Sequence, residues 1–151
     1  MTETINYQTY KFDNAASMIR IQGILTIIFG GLGIIGSLLA TLYFILFAVT
    51  DPTIAVEDGV IVASIIAAFM FVFVLLPHVY LIVSGMHLLR NPAPSTAKVL
   101  IIINLIIGVF WNLIIFVFAI ISLTQLHDYQ AGYKKQTHKN HTPDHIAPDH
   151  A

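Results

Sequence analysis

Three long stretches of this chain contain no Asp, Glu, Lys or Arg: Ile21 to Val49, Gly59 to Leu89 and Val99 to Leu126. A membrane-spanning helix needs about 20 predominantly apolar residues, because the ~30 Å hydrocarbon core offers no water to an exposed backbone. Each stretch exceeds that length. The expected fold class is therefore all-α, an integral membrane bundle of three long transmembrane helices at about 14–49, 59–90 and 96–126. A composition of 57% hydrophobic and 10% charged residues agrees with this, since soluble domains carry far more charge.

The charged residues gather in 1–20, 51–58, 90–98 and 127–151. They divide the chain into a polar N-terminal segment (1–13), a transmembrane helical domain (14–126) and a soluble, His-rich tail (127–151). The tail has few aliphatic residues, too little apolar surface to offset the entropy of ordering, and is expected to be mostly disordered. The first apolar run is roughly twice the ~7–15 residues of a signal-peptide core and reads as an uncleaved anchor.

Local signals set the expected helix ends. Asp13 or Asn14 suits an N-cap of the first helix, and Asp51-Pro52 stops it. Asp58 suits the cap of the second. Pro77 lies inside that helix, where it removes one backbone hydrogen bond and predicts a kink near Phe73 to Pro77 without a break. Asn91-Pro92-Ala93-Pro94-Ser95 is a turn signal, with Ser95 as the cap of the third helix. Arg90 complements the C-terminal dipole of the second.

Orientation follows from where Lys and Arg fall. The acidic loop Asp51 to Gly59 has none, whereas Lys11, Arg20, Arg90 and Lys98 flank the opposite helix ends. The positive-inside rule puts that loop outside and the N-terminus in the cytoplasm. A straight third helix would then carry Lys134, Lys135 and Lys139 outside, against the same rule. The alternative is that Val99 to Leu126 re-enters, with Trp111 midway along it. About 28 residues are too few for two crossings of roughly 20 each, so a straight third helix is expected.

The first helix has Thr26, Gly30, Gly33, Ser37 and Thr41 at steps of three and four. That makes a small-residue face which another backbone can approach closely, and a packing seam is expected in preference to a pore or phosphate cradle. Asn104, Gly108, Asn112, Ala119 and Ser122 lie near one face of the third helix. Buried asparagines in lipid need partners, so interhelical hydrogen bonding is the first reading and a polar substrate path the sharper one. His78 is expected to face the bundle interior with Ala67 and Gly85, while His87 is expected at an interface beside Arg90.

The tail carries His138, His141, His145 and His150, with Pro-Asp-His at Pro143 to His145 repeated at Pro148 to His150. Imidazoles and carboxylates of this kind can bind Zn, Ni or Cu. Their spacing matches no closed structural site, and a solvated tail is the simpler reading.

Other chemistries lack their residues. Cysteine is absent, which removes disulfides, thiol catalysis and palmitoylation. A net charge of −1 gives no basic field for nucleic acid. No nucleophile triad, paired intramembrane carboxylates or phosphate loop is present, so the chain is not expected to be an enzyme. Carriers that couple transport to protons or sodium through a membrane carboxylate are equally poor matches.

Ser84-Gly85-Met86-His87-Leu88-Leu89-Arg90, then Ala97-Lys98-Val99-Leu100, then Ala119-Ile120-Ile121-Ser122-Leu123-Thr124-Gln125-Leu126 together resemble a widespread type of small prokaryotic membrane protein of uncharacterised role. In that type, a Gly-x-x-Leu-Leu-basic helix end leads through a short link into a final hydrophobic segment. The resemblance covers the layout of residues 19–126 and implies a prokaryotic cytoplasmic membrane, with no particular activity. Its pattern often has a Pro-Gly break midway through the last segment, whereas Gly108-Val109-Phe110-Trp111-Asn112 has no proline.

The expected function is that of a noncatalytic subunit or scaffold of a membrane complex. Its partners would be the lipid bilayer and other membrane helices, in a homo- or hetero-oligomer. The rival is an oligomeric channel or metal-handling carrier that uses His78, Asn104, Asn112 and the tail histidines.

Overall fold

A computed structural model describes residues 2–50 and 56–140, all of them helical apart from short connections. The elements are α1 (Thr2–Thr50), α2 (Val56–Met70), a π-helical turn (Phe71–Leu75), α3 (Leu76–Leu89), α4 (Pro94–Trp111) and α5 (Leu113–Asn140). Four helical stretches are long and apolar enough to cross a membrane: one in α1, one running through α2, the π-turn and α3, and one each in α4 and α5.

The count of three is thereby corrected to four. The third expected helix breaks at Asn112, whose backbone is extended at φ −158° and ψ 101°. Its side chain caps the helix that follows, with Oδ1 accepting from Ile114 N–H at 3.0 Å and Ile115 N–H at 3.2 Å. Asparagine is among the best N-caps because its short side chain reaches these orphan donors. The chain then turns back, and Gly108 lets α4 and α5 approach so closely that a Cβ there would sit 2.6 Å from Phe116 N.

Several expected ends also shift. Asp13 and Asn14 lie inside α1, which begins at Thr2, and Asp58 lies inside α2. Ala93 rather than Ser95 holds the N-cap position of α4, with Pro94 in the first turn, where a missing N–H costs nothing. The expected tail is helical as far as Asn140. Residues 141–151 lie outside the described residues, as does the 51–55 part of the acidic loop.

Pro77 leaves its helix continuous. The preceding turn, Phe71 to Leu75, widens to π geometry, which relieves the crowding that the proline ring imposes one turn back. Along the spans, hydroxyls are folded back onto their own helix: Thr26 donates to the Gln22 carbonyl at 2.7 Å, Thr41 to Ser37 at 2.7 Å and Ser64 to Val60 at 2.8 Å. These bonds satisfy polar groups that lipid cannot.

Helix α1 packs antiparallel to α3 through glycines. A Cβ on Gly23 would lie 2.9 Å from the Gly85 carbonyl oxygen, and one on Gly85 would lie 2.6 Å from that of Gly23. Contact that close is how membrane helices gain packing where water does not drive them together. The buried core follows on toward the basic end, with Ala15 and Ile19 of α1 against Leu88 of α3, Ala97 and Ile101 of α4, and Ala119, Leu126 and Tyr129 of α5.

The α4–α5 hairpin is shorter than its neighbour. Tyr129 O–H donates to the Pro92 carbonyl at 2.8 Å, so α5 has returned to the start of α4 by that residue. The hairpin is thus about 25 Å deep at ~1.5 Å per residue, whereas α1 runs about 45 Å from Arg20 to Thr50. The far ends of α1 and α2 extend past the hairpin tip, with Leu38, Leu42, Ile61 and Ile65 exposed. Lys11, Arg20, Arg90, Lys98, Lys134 and Lys135 all lie toward the other end, where Arg20 also meets Asn91.

Candidate functional site

Two polar assemblies stand out against the apolar bundle. The first is inside it. Gln22 and Thr26 of α1, Ser84 of α3, Asn104 of α4 and Ser122 of α5 are each fully buried. Ser84 Oγ donates to Asn104 Oδ1 at 2.8 Å, joining α3 to α4, and sits 3.0 Å from its own Leu81 carbonyl. Gln22 adjoins Gly23 and Ser84 adjoins Gly85, the two glycines in mutual contact, so they stand at the same depth. The Gln22 amide, Asn104 Nδ2 and Ser122 Oγ are buried with no hydrogen-bond partner among the described residues.

Asn104 thus holds the interhelical role expected of it. Asn112 does not share its face, because it forms the hairpin tip and caps α5. Gly30 and Gly33 face α3, where a Cβ on Gly30 would lie 2.8 Å from Ile82 Cγ1 and one on Gly33 would overlap the His78 ring. Ser37 is buried and donates to the Ile34 carbonyl at 2.8 Å. The small-residue seam is therefore occupied by this chain's own helices.

His78 is buried over Gly33, and its Nδ1–H donates to the Val74 carbonyl at 2.6 Å. That carbonyl is in the π-turn that precedes Pro77. His87 is exposed near the helix end. The side chain of His138 and the whole of His141, His145 and His150 lie outside the described residues. Among the described residues no group of three potential metal ligands comes together.

The second assembly is a cavity of about 420 Å³ at the basic end, lined by Phe12, Asp13, Ala16, Ser17 and Arg20 of α1, Asn91, and Tyr129 and Tyr133 of α5. Asn91 takes a left-handed backbone at φ 50°, a conformation that asparagine tolerates better than most residues and that ends helices. This presents its Oδ1 to Arg20, whose Nε–H donates to it at 2.9 Å. The opposite wall is aromatic: Phe12 stacks on Tyr129 with ring centres 5.6 Å apart and planes 13° from parallel, and Tyr133 follows at 6.1 Å.

Sequence reasoning passed over this cavity because its residues come from three separate parts of the chain, at 12–20, 91 and 129–133, and all of them lie outside the apolar runs. Ser17 and Arg20 stand at helical spacing from Asp13, a signal that carried meaning only once Asp13 was inside α1. Gln22, the one amide in the first apolar run, was a legible sign of a buried polar core. No family model, curated protein or solved structure matches this chain.

Proposed function

We propose that this protein is a noncatalytic subunit or scaffold of a membrane complex. The observation that carries the reading is the Ser84–Asn104 bond at the centre of the bundle: intramembrane polarity is turned inward and used to hold helices together. Around it the outer faces are apolar, and the far ends of α1 and α2 stand clear of the shorter hairpin. That step offers bilayer-level helix surface to a partner, in a homo- or hetero-oligomer.

The gathering of Lys and Arg at one end supports a cytoplasmic N-terminus with residues 51–59 outside. Four crossings return the end of α5 to the cytoplasmic side, which removes the conflict that a straight third helix creates. A prokaryotic cytoplasmic membrane remains the proposed location.

The test is extraction in native lipid particles followed by intact-complex mass spectrometry. A defined heteromeric partner is the expected result, and release of a lone monomer under gentle conditions would overturn it. The second reading, an oligomeric channel or a carrier of Zn, Ni or Cu, is favoured by the unpartnered Gln22, Asn104 and Ser122 groups. Liposome flux that is lost in Asn104→Leu would transfer the weight to it.

A further inference from the structure

We propose that the cavity at the basic end binds the head of a zwitterionic phospholipid, with Arg20 on the phosphate and Asp13 with the aromatic wall on the ammonium. The proposal stands independently of the subunit reading. Arg20 and Asp13 line one cavity, yet among the described residues neither closes an ion pair. Two opposite charges held apart in a shared recess suit a ligand that carries both signs.

The order of the groups matches a lipid. Arg20 precedes the first residue of the apolar run, at the depth of a phosphate. Asp13 lies two turns farther out, about 10 Å along α1, on the side where a lipid's ammonium projects. Ser17 lies between them along α1 and lines the same recess. A soluble anion would satisfy Arg20 and leave Asp13 repelling it, and an anionic lipid has the same defect.

Each wall is suited to its part. Asn91 engages Nε of Arg20, which orients the guanidinium and leaves its terminal amino groups for phosphate oxygens in charge-assisted hydrogen bonds. Phe12 and Tyr133, half-buried beside the buried Tyr129, offer ring surface, which attracts a cation. The volume of about 420 Å³ falls within the ~300–1,000 Å³ of small-ligand sites, and tyrosines favour the membrane interface.

The experiment is native mass spectrometry of the full-length protein in detergent, titrated with phosphatidylethanolamine or phosphatidylglycerol of the same acyl chains, and with soluble phosphoethanolamine. The expected result is a preference of about tenfold for phosphatidylethanolamine, about tenfold weaker binding of it in Arg20→Gln, and loss of the preference in Asp13→Asn. Equal retention of the two lipids by the native chain would overturn the proposal, as would phosphatidylethanolamine binding that neither variant changes. Displacement of the lipid by equimolar phosphoethanolamine would also overturn it, by showing a site for free zwitterions. Asp13 is exposed, so Asp13→Asn decides the matter even where Arg20→Gln fails to fold.

Discussion

Ser84 Oγ and Asn104 Oδ1, 20 residues apart in sequence, meet at 2.8 Å in the middle of the bundle. The bond ties α3 to α4 across the turn that separates the two helical hairpins. Removing the hydroxyl in Ser84→Ala leaves a buried amide oxygen without its donor. The expected loss is about 0.6–2 kcal/mol, the range for interhelical hydrogen bonds in membranes. Unfolding in a mixed-micelle denaturant titration checks it, and an unchanged midpoint would remove this bond from the account of the core.

Asn112→Ala takes away the cap of α5. Loss of such a cap costs about 0.5–2 kcal/mol, and here it also relaxes the only residue that separates α4 from α5. Lower thermal stability is expected, with faster backbone hydrogen exchange at Leu113 to Ile115, whereas Asn112→Asp or Asn112→Ser should retain most of the native protection.

Gly85→Val tests the contact between α1 and α3. Its Cβ would meet the Gly23 carbonyl oxygen at 2.6 Å and Ile27 Cγ1 at 2.7 Å, and neither the backbone nor a packed core chain moves away freely. Overpacking of this kind costs about 1–3 kcal/mol or more. Gly36→Ala is the matched control, because a Cβ there meets nothing within 4 Å; it should leave stability unchanged or raise it slightly. Unchanged stability in Gly85→Val would show that the close approach to Gly23 does not hold α1 against α3.

Four crossings put Lys11 and Lys134 on the same side of the membrane, and three would separate them. The chain has no cysteine, so Lys11→Cys and Lys134→Cys each report without background. Both are expected to react with an impermeant maleimide only after the cytoplasmic face is opened. Labelling of the two from opposite sides would restore a straight third helix.

Tyr129→Phe removes the O–H bond to the Pro92 carbonyl while keeping the ring stacked on Phe12. A neutral hydrogen bond of this type contributes about 0.5–1.5 kcal/mol. The loss in Tyr129→Ala should be larger, since it also opens the core beneath Leu126. Comparable stabilities for the two variants would show that the ring contributes little.

Charge-free runs are enough to specify a helical membrane protein, because in hydrocarbon a backbone must satisfy its own hydrogen bonds and length then decides what can span. Residues Ile21 to Val49 and Gly59 to Leu89 were legible in this way, as were the distortion before Pro77 and the turn at Asn91 to Ser95. The small face of α1 was legible too, although which helix would fill it was not: helical spacing identifies a face and does not name its neighbour. The break at Asn112 was hidden because one asparagine in an apolar run serves equally as interhelical glue or as a cap, and only the return of α5 along α4 selects the second. The fourth apolar helix looked too short by composition, since its last turns use Gln125 to Tyr133, a largely polar stretch that reads as tail. They become helical because α1 also extends past its apolar run, and Phe12 and Tyr129 bury each other there. Two segments that neither hydropathy nor propensity would order alone are held by mutual packing, and that pairing places Asp13, Arg20 and the aromatic wall around one cavity.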